Sequence, residues 1–285
     1  MACRAKRSKR ILGFMPRSSL ARPLEPLVAI SWGVFLVWSA WLTAVWVLGI
    51  DRSWLRLPIS SSDGWNPEVA GMVQDAPAPP NADLRRAVLL LAQNAELAWL
   101  VLALIQVHLH VVASNGVNTA RVWLAVALGG SLLLAAVNRA YGIPFGWLHF
   151  TRVLGAQFFG VPLGWVLLWA VLLIGSREAM LHLWKRPGHL ALAAASAAVV
   201  TLTFLNLHQI ARVDVRAWWF WHTGNVLQSA QTPWFFWLSI FLASWGLVAL
   251  MRERSVVSAA AQRSAKPLAV VGLLNLAALA THLLR

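Results

Sequence analysis

LVAISWGVFLVWSAWLTAVWVLGI, residues 27–50, decides the fold class: about 24 residues run without a single charge. A bilayer core of roughly 30 Å is crossed by about 20 mostly apolar residues in a helix, so this block alone reads as a span. It is longer than the apolar region of a secretory signal, which makes it a retained first helix despite the basic residues ahead of it. Six more apolar blocks follow, at about 87–113, 122–137, 156–175, 190–207, 232–250 and 267–284. The expectation is an all-α, polytopic transmembrane helix bundle of about seven spans. It comprises a basic tail at 1–26 and a single integral membrane domain at 27–285. A hydrophobic share of 59% exceeds that of an ordinary globular chain and fits this reading.

The formal charge of +14 would suit nucleic acid if the basic residues were clustered. They lie instead between the apolar blocks, where they report topology. With a cytoplasmic N-terminus, 15 of the 24 Lys and Arg residues fall on the cytoplasmic side. That distribution predicts an N-inside, C-outside protein whose partner is the lipid bilayer and not nucleic acid. Cys3 is the only cysteine, which excludes an internal disulfide and a cysteine-based metal site. Four tryptophans of the first block, Trp32, Trp38, Trp41 and Trp46, read as an interfacial belt.

Two connections differ from plain loops: NRAYGIPFGWLHFTRVLGAQFFGVPL at 138–163 and NLHQIARVDVRAWWFWHTGNVLQSAQTPWFFW at 206–237. Gly and Pro mixed with aromatics suit irregular backbone that is buried against protein or lines a cavity. In the seven-span topology both lie on the outer side, so they are expected to meet and cap one pocket.

The first connection carries Tyr141-Gly142-Ile143-Pro144-Phe145-Gly146, then Leu154-Gly155 and Phe159-Gly160-Val161-Pro162-Leu163. Trp169 and Ser176-Arg177-Glu178 follow downstream. This pattern resembles the carotenoid biosynthesis protein family of bacterial and archaeal membrane proteins, which includes carotenoid 1′-hydratases. The second connection is similar to that family's other signature, through Trp219, Trp221 and Pro233-Trp234. The resemblance spans roughly residues 138–245 and implies a hydrophobic polyene substrate bound by Tyr141, Pro144, Phe145, Trp147, Phe159, Pro162, Trp219, Trp221, Pro233 and Trp234. It also implies a bacterial cytoplasmic membrane location and other carotenoid-pathway enzymes as partners. The chain departs from the family pattern where acids are expected. Ala135 stands in place of a Glu, and Ile210-Ala211 in place of an Asp-Pro. Leu148 and Phe150 replace two tyrosines. Any acid role in this chain therefore falls to other residues.

Adding water to an isolated double bond of a polyene end group needs an acid, stabilisation of a tertiary cation and one positioned water. No metal or redox cofactor is required. A carboxyl in apolar surroundings can hold its proton at neutral pH, and aromatic faces stabilise a cation by about 0.5–2 kcal/mol each. Glu96 is the acid that falls inside an apolar block, where a carboxylate costs roughly 2.5–3.5 kcal/mol and marks an interior position. Glu96, Trp99, Ala103, Gln106 and His110 recur at helical spacing and share one face. That face either presents an acid to a ligand or hydrogen-bonds a neighbouring helix. Asp214 is a second candidate acid, although Arg212 and Arg216 beside it also suit an ion pair at the membrane surface. His149 and His222 are candidate proton shuttles or interfacial hydrogen-bonding groups.

The leading expectation is thus a cofactor-independent carotenoid hydratase. A non-catalytic carotenoid-binding or assembly protein is the alternative, since the family acids are replaced. A small proton-coupled transporter is the third, since intramembrane Glu and His also mark proton pathways. Di-iron chemistry is disfavoured, because His108 and His110 form the only close histidine pair and point to different faces of a helix.

Overall fold

The computed structural model of the chain describes residues 25–50, 82–184, 187–211, 218–221, 233–252 and 258–284. Nine helices occur among them: α1 (Glu25–Leu48), α2 (Ala82–Gln93), α3 (Ala95–Asn115), α4 (Val117–Tyr141), α5 (Leu163–Leu183), α6 (His189–Ala211), α7 (Pro233–Leu250), α8 (Ala259–Gln262) and α9 (Lys266–Leu284). Six of the apolar helices are long enough to cross a membrane, and the 18-residue α7 is a shorter seventh. The chain is an all-α bundle and an integral membrane protein.

Helix α5 is the centre. It is 78% buried over its most apolar window, against 22% for α1. It packs against α3, α4, α6 and α9, which explains why it is apolar all round rather than amphipathic. The fourth apolar block shifts accordingly. The sequence placed it at 156–175, but residues 157–162 form a small hairpin, β2 (Gln157–Phe158) with β3 (Val161–Pro162). The helix then runs on past Gly175 to Leu183. Gly175 does not end it, because a small residue is needed there: a Cβ would stand 3.1 Å from Val271 of α9.

Other ends follow local chemistry. Gly116, at φ 88°, separates α3 from α4, and Gly142, at φ 68°, caps α4 with its N–H on the Asn138 carbonyl. The third block therefore reaches 117–141, wider than the 122–137 expected. The second block is broken at Asn94, whose Nδ2 donates to the Leu90 carbonyl at 2.8 Å, so α2 and α3 are separate helices.

Two remaining strands bring the aromatic connections together. β1 (Leu148–Phe150) pairs antiparallel with β4 (Trp219–Trp221), with His149 opposite Phe220 and Phe150 opposite Trp219. The Trp218 N–H donates to the Ala211 carbonyl, and the Trp218 carbonyl accepts from the Thr151 N–H at 3.1 Å. Both connections therefore close the same end of the bundle.

Candidate functional site

Below that closure lies a cleft with an empty volume of ≈ 250 Å³ counted out to its mouth. Its wall takes Trp46 from α1, Glu96 and Trp99 from α3, and Leu168 from α5. Leu154 comes from the first connection and Trp218 from the second. Its core holds about one water, so a larger ligand enters only when lining side chains part. Glu96 is 2% exposed, and its Oε1 accepts a hydrogen bond from the Trp46 indole at 3.1 Å. Trp99 is fixed in turn by its own indole N–H, which donates to Ser39 Oγ of α1 at 2.9 Å. Trp46 and Trp218 stand with ring centroids 5.6 Å apart. A carboxyl thus sits beside three indole rings at the closed end of the bundle.

The helical face read from the sequence is the one that is buried: Glu96, Trp99, Ala103, Gln106 and His110 all turn inward. Trp46 is a correction to the interfacial-belt reading. It is 0% exposed and belongs to an inward stripe of α1 with Phe35, Ser39 and Leu42, a 3–4 spacing that was legible beneath the excess of tryptophan. The belt reading suits Trp38 and Trp41 better, which are half-buried with indole N–H groups on the backbone of Ala95 and Leu91.

A second aromatic cluster adjoins the cleft. Trp165 of α5 meets Phe150 of β1 at 4.9 Å and Trp219 of β4 edge-on at 5.2 Å. Trp169, one turn on, meets Phe204 of α6 at 5.1 Å and Phe145 at 5.9 Å. The indole N–H groups of Trp169, Trp218 and Trp219 are buried with no hydrogen-bond partner among the described residues. Buried donors of this kind call for an acceptor such as water or a ligand oxygen.

The residues singled out from the sequence separate in space. Phe145, Pro162 and Trp219 are buried at the closed end. Pro144 and His149 are half-buried, His149 on β1. Tyr141, Trp147, Phe159 and Trp234 point outward. The backbones of Trp221 and Pro233 are placed on β4 and at the start of α7. Asp214 and His222 lie outside the described residues. Asn138 is a local staple: its Oδ1 accepts from the Phe145 N–H, and its Nδ2 donates to the Gly146 carbonyl at 2.8 Å, which fixes the turn between them. Asn206 donates to Asn275 Oδ1 at 2.8 Å and ties α6 to α9.

A polar network missed in the sequence lies at the other end of α5. Arg177 and Glu178, which the sequence placed in a connection, are buried in the helix. Glu178 Oε1 accepts from Arg177 Nη1 at 2.6 Å, and Oε2 lies 3.2 Å from His110 Nε2. The Arg177 guanidinium lies 4.0 Å over the Trp123 ring of α4. Its signal was that the apolar run resumes directly after Ser176-Arg177-Glu178, at Ala179, Met180 and Leu181. Among the described residues no group of three His, Cys, Asp or Glu is placed to hold a metal ion.

Compared with known proteins, the chain matches no family model, no curated protein and no solved structure.

Proposed function

We propose that this protein is a carotenoid-biosynthesis enzyme of the bacterial cytoplasmic membrane, its N-terminus cytoplasmic, that hydrates a terminal double bond of a carotenoid end group without a cofactor. The observation that carries the reading is the Glu96 carboxyl in a cleft walled by Trp46, Trp99 and Trp218, closed by both signature-bearing connections. In this reaction the Glu96 carboxyl gives its proton to one alkene carbon. The tertiary cation that forms on the other carbon is stabilised by the indole faces. Water then adds at the cation, and its surplus proton returns to the carboxylate. The Trp218 indole N–H, with no partner among the described residues, is suited to hold the oxygen of that water. The hydrophobic end group reaches the cleft from the bilayer once Leu154 or Trp218 moves aside.

Expression in a host that accumulates lycopene or γ-carotene, followed by chromatography of the pigments, tests this. A new, more polar pigment of one added water is expected, and an unchanged profile contradicts the enzymatic reading. A second reading, a non-catalytic carotenoid-binding protein, is favoured by one observation. Ala135 and Ile210, at the positions of the family acids, are both buried apolar residues. It predicts pigment that copurifies with the protein unaltered.

A further inference from the structure

At the tip of the β2–β3 hairpin, Phe159 has φ 51° and Gly160 follows at φ 74°. Two successive positive-φ residues make the tight turn that matches the twist of paired strands, a turn that favours Asn-Gly. Phenylalanine is ill suited to it, because a Cβ in the left-handed region crowds the neighbouring carbonyl. Such strain persists where the side chain is held by something. Among the described residues nothing packs over this ring: Phe159 is 83% exposed and Phe158 beside it 58%. Asparagine would relieve the backbone with no loss of internal packing. What retains a phenylalanine at this tip is not among the described residues of the chain.

The surroundings say what it is. The exposed Arg139 side chain lies against the turn, so close that a Cβ on Gly160 would collide with its guanidinium. Arg139 is in the last turn of α4, two residues before the helix ends at Tyr141, and Tyr141 is exposed too. An apolar span ends here, which is the level at which a bilayer changes from acyl chains to headgroups. Aromatic rings beside a guanidinium at that level match the two layers in turn, acyl boundary and phosphate.

We propose that the β2–β3 hairpin is a lipid anchor: the rings of Phe158 and Phe159 enter the acyl boundary of the bilayer, and the Arg139 guanidinium takes a phospholipid phosphate. The anchor is independent of the catalytic reading. It holds the first connection, and with it Leu154 of the cleft, against the membrane surface through which a lipid-dissolved molecule arrives.

The test uses the full chain with Cys3→Ser, carrying Phe159→Cys or Phe158→Cys labelled with a nitroxide, in vesicles of phosphatidylcholine and phosphatidylglycerol. Gly188, exposed between α5 and α6 with no neighbour near a Cβ, provides the Gly188→Cys reference. Collisions with oxygen are expected to exceed those with a water-soluble nickel chelate several-fold at 158 and 159, and the order to reverse at 188. Adding Arg139→Gln is expected to move the label at 159 outward, toward the nickel-accessible layer. Nickel accessibility at 159 equal to that at 188 would overturn the proposal. So would a label at 159 shielded from both agents, as packing against bound pigment would leave it.

Discussion

Glu96 and Glu178 are both buried carboxyls in the heart of a membrane bundle, and they are held in opposite ways. Residue pairs 107/175 and 110/178 meet between α3 and α5, so these helices run in the same direction. Fourteen residues separate Glu96 from His110, about 21 Å along a helix. The two acids therefore sit toward opposite ends of one helix pair. Both oxygens of Glu178 are occupied, one by Arg177 and one by His110. Glu96 takes an indole N–H from Trp46 and borders a cleft. The difference separates two uses of a costly residue. An acid locked by a cation within its own helix organises the bundle, whereas the acid at a cleft walled by tryptophan is the one we propose to meet a ligand.

The largest effect is expected at the Glu178 end. Glu178→Ala leaves the Arg177 guanidinium buried without its carboxylate and is expected to lower stability by about 3–5 kcal/mol. Unfolding in detergent micelles would read this. Replacing Arg177 and Glu178 together, by Met and Leu, is expected to recover most of that loss. A double variant as unstable as the single one would show that the pair does more than neutralise itself.

Smaller effects are expected at the aromatic partners of both acids. Trp123→Leu removes the ring beneath Arg177 and is expected to cost about 0.5–2 kcal/mol beyond packing, an amount that should vanish when Arg177→Met is already present. At the other end, Trp46→Phe removes the N–H donated to Glu96 and keeps an aromatic wall. Its expected cost is about 0.5–1.5 kcal/mol. Glu96→Gln should be milder still, since the amide oxygen can accept the same bond from Trp46. A loss as large as that of Glu178→Ala would place Glu96 among the structural acids.

The contrast also marks what the sequence could and could not tell. The inward face of α3 was legible because Glu96, Trp99, Ala103, Gln106 and His110 keep one helical stripe, which a buried helix must satisfy with partners. The meeting of the two connections was legible from composition, since backbone rich in Gly, Pro and aromatics needs protein cover. The three-residue pairing of β1 with β4 that achieves it has no period long enough to read. Glu178 was missed because Arg177 beside it looked like a loop charge, and only the fold reveals that the two cancel in place. Trp46 was missed because tryptophan is so frequent in this chain that an interior one is hidden among those at the interface. The hairpin at 157–162 fell where the first connection, 138–163, overlaps the fourth apolar block, 156–175, and composition alone does not say where irregular backbone gives way to helix.

The proposed role of Glu96 as the acid that faces the ligand is tested by the pigment profile of a carotenoid-producing host carrying Glu96→Gln. The variant is expected to reach the membrane at the level of the unaltered protein while forming at least about 100-fold less hydrated pigment. Hydrated pigment at the unaltered level from Glu96→Gln would contradict it.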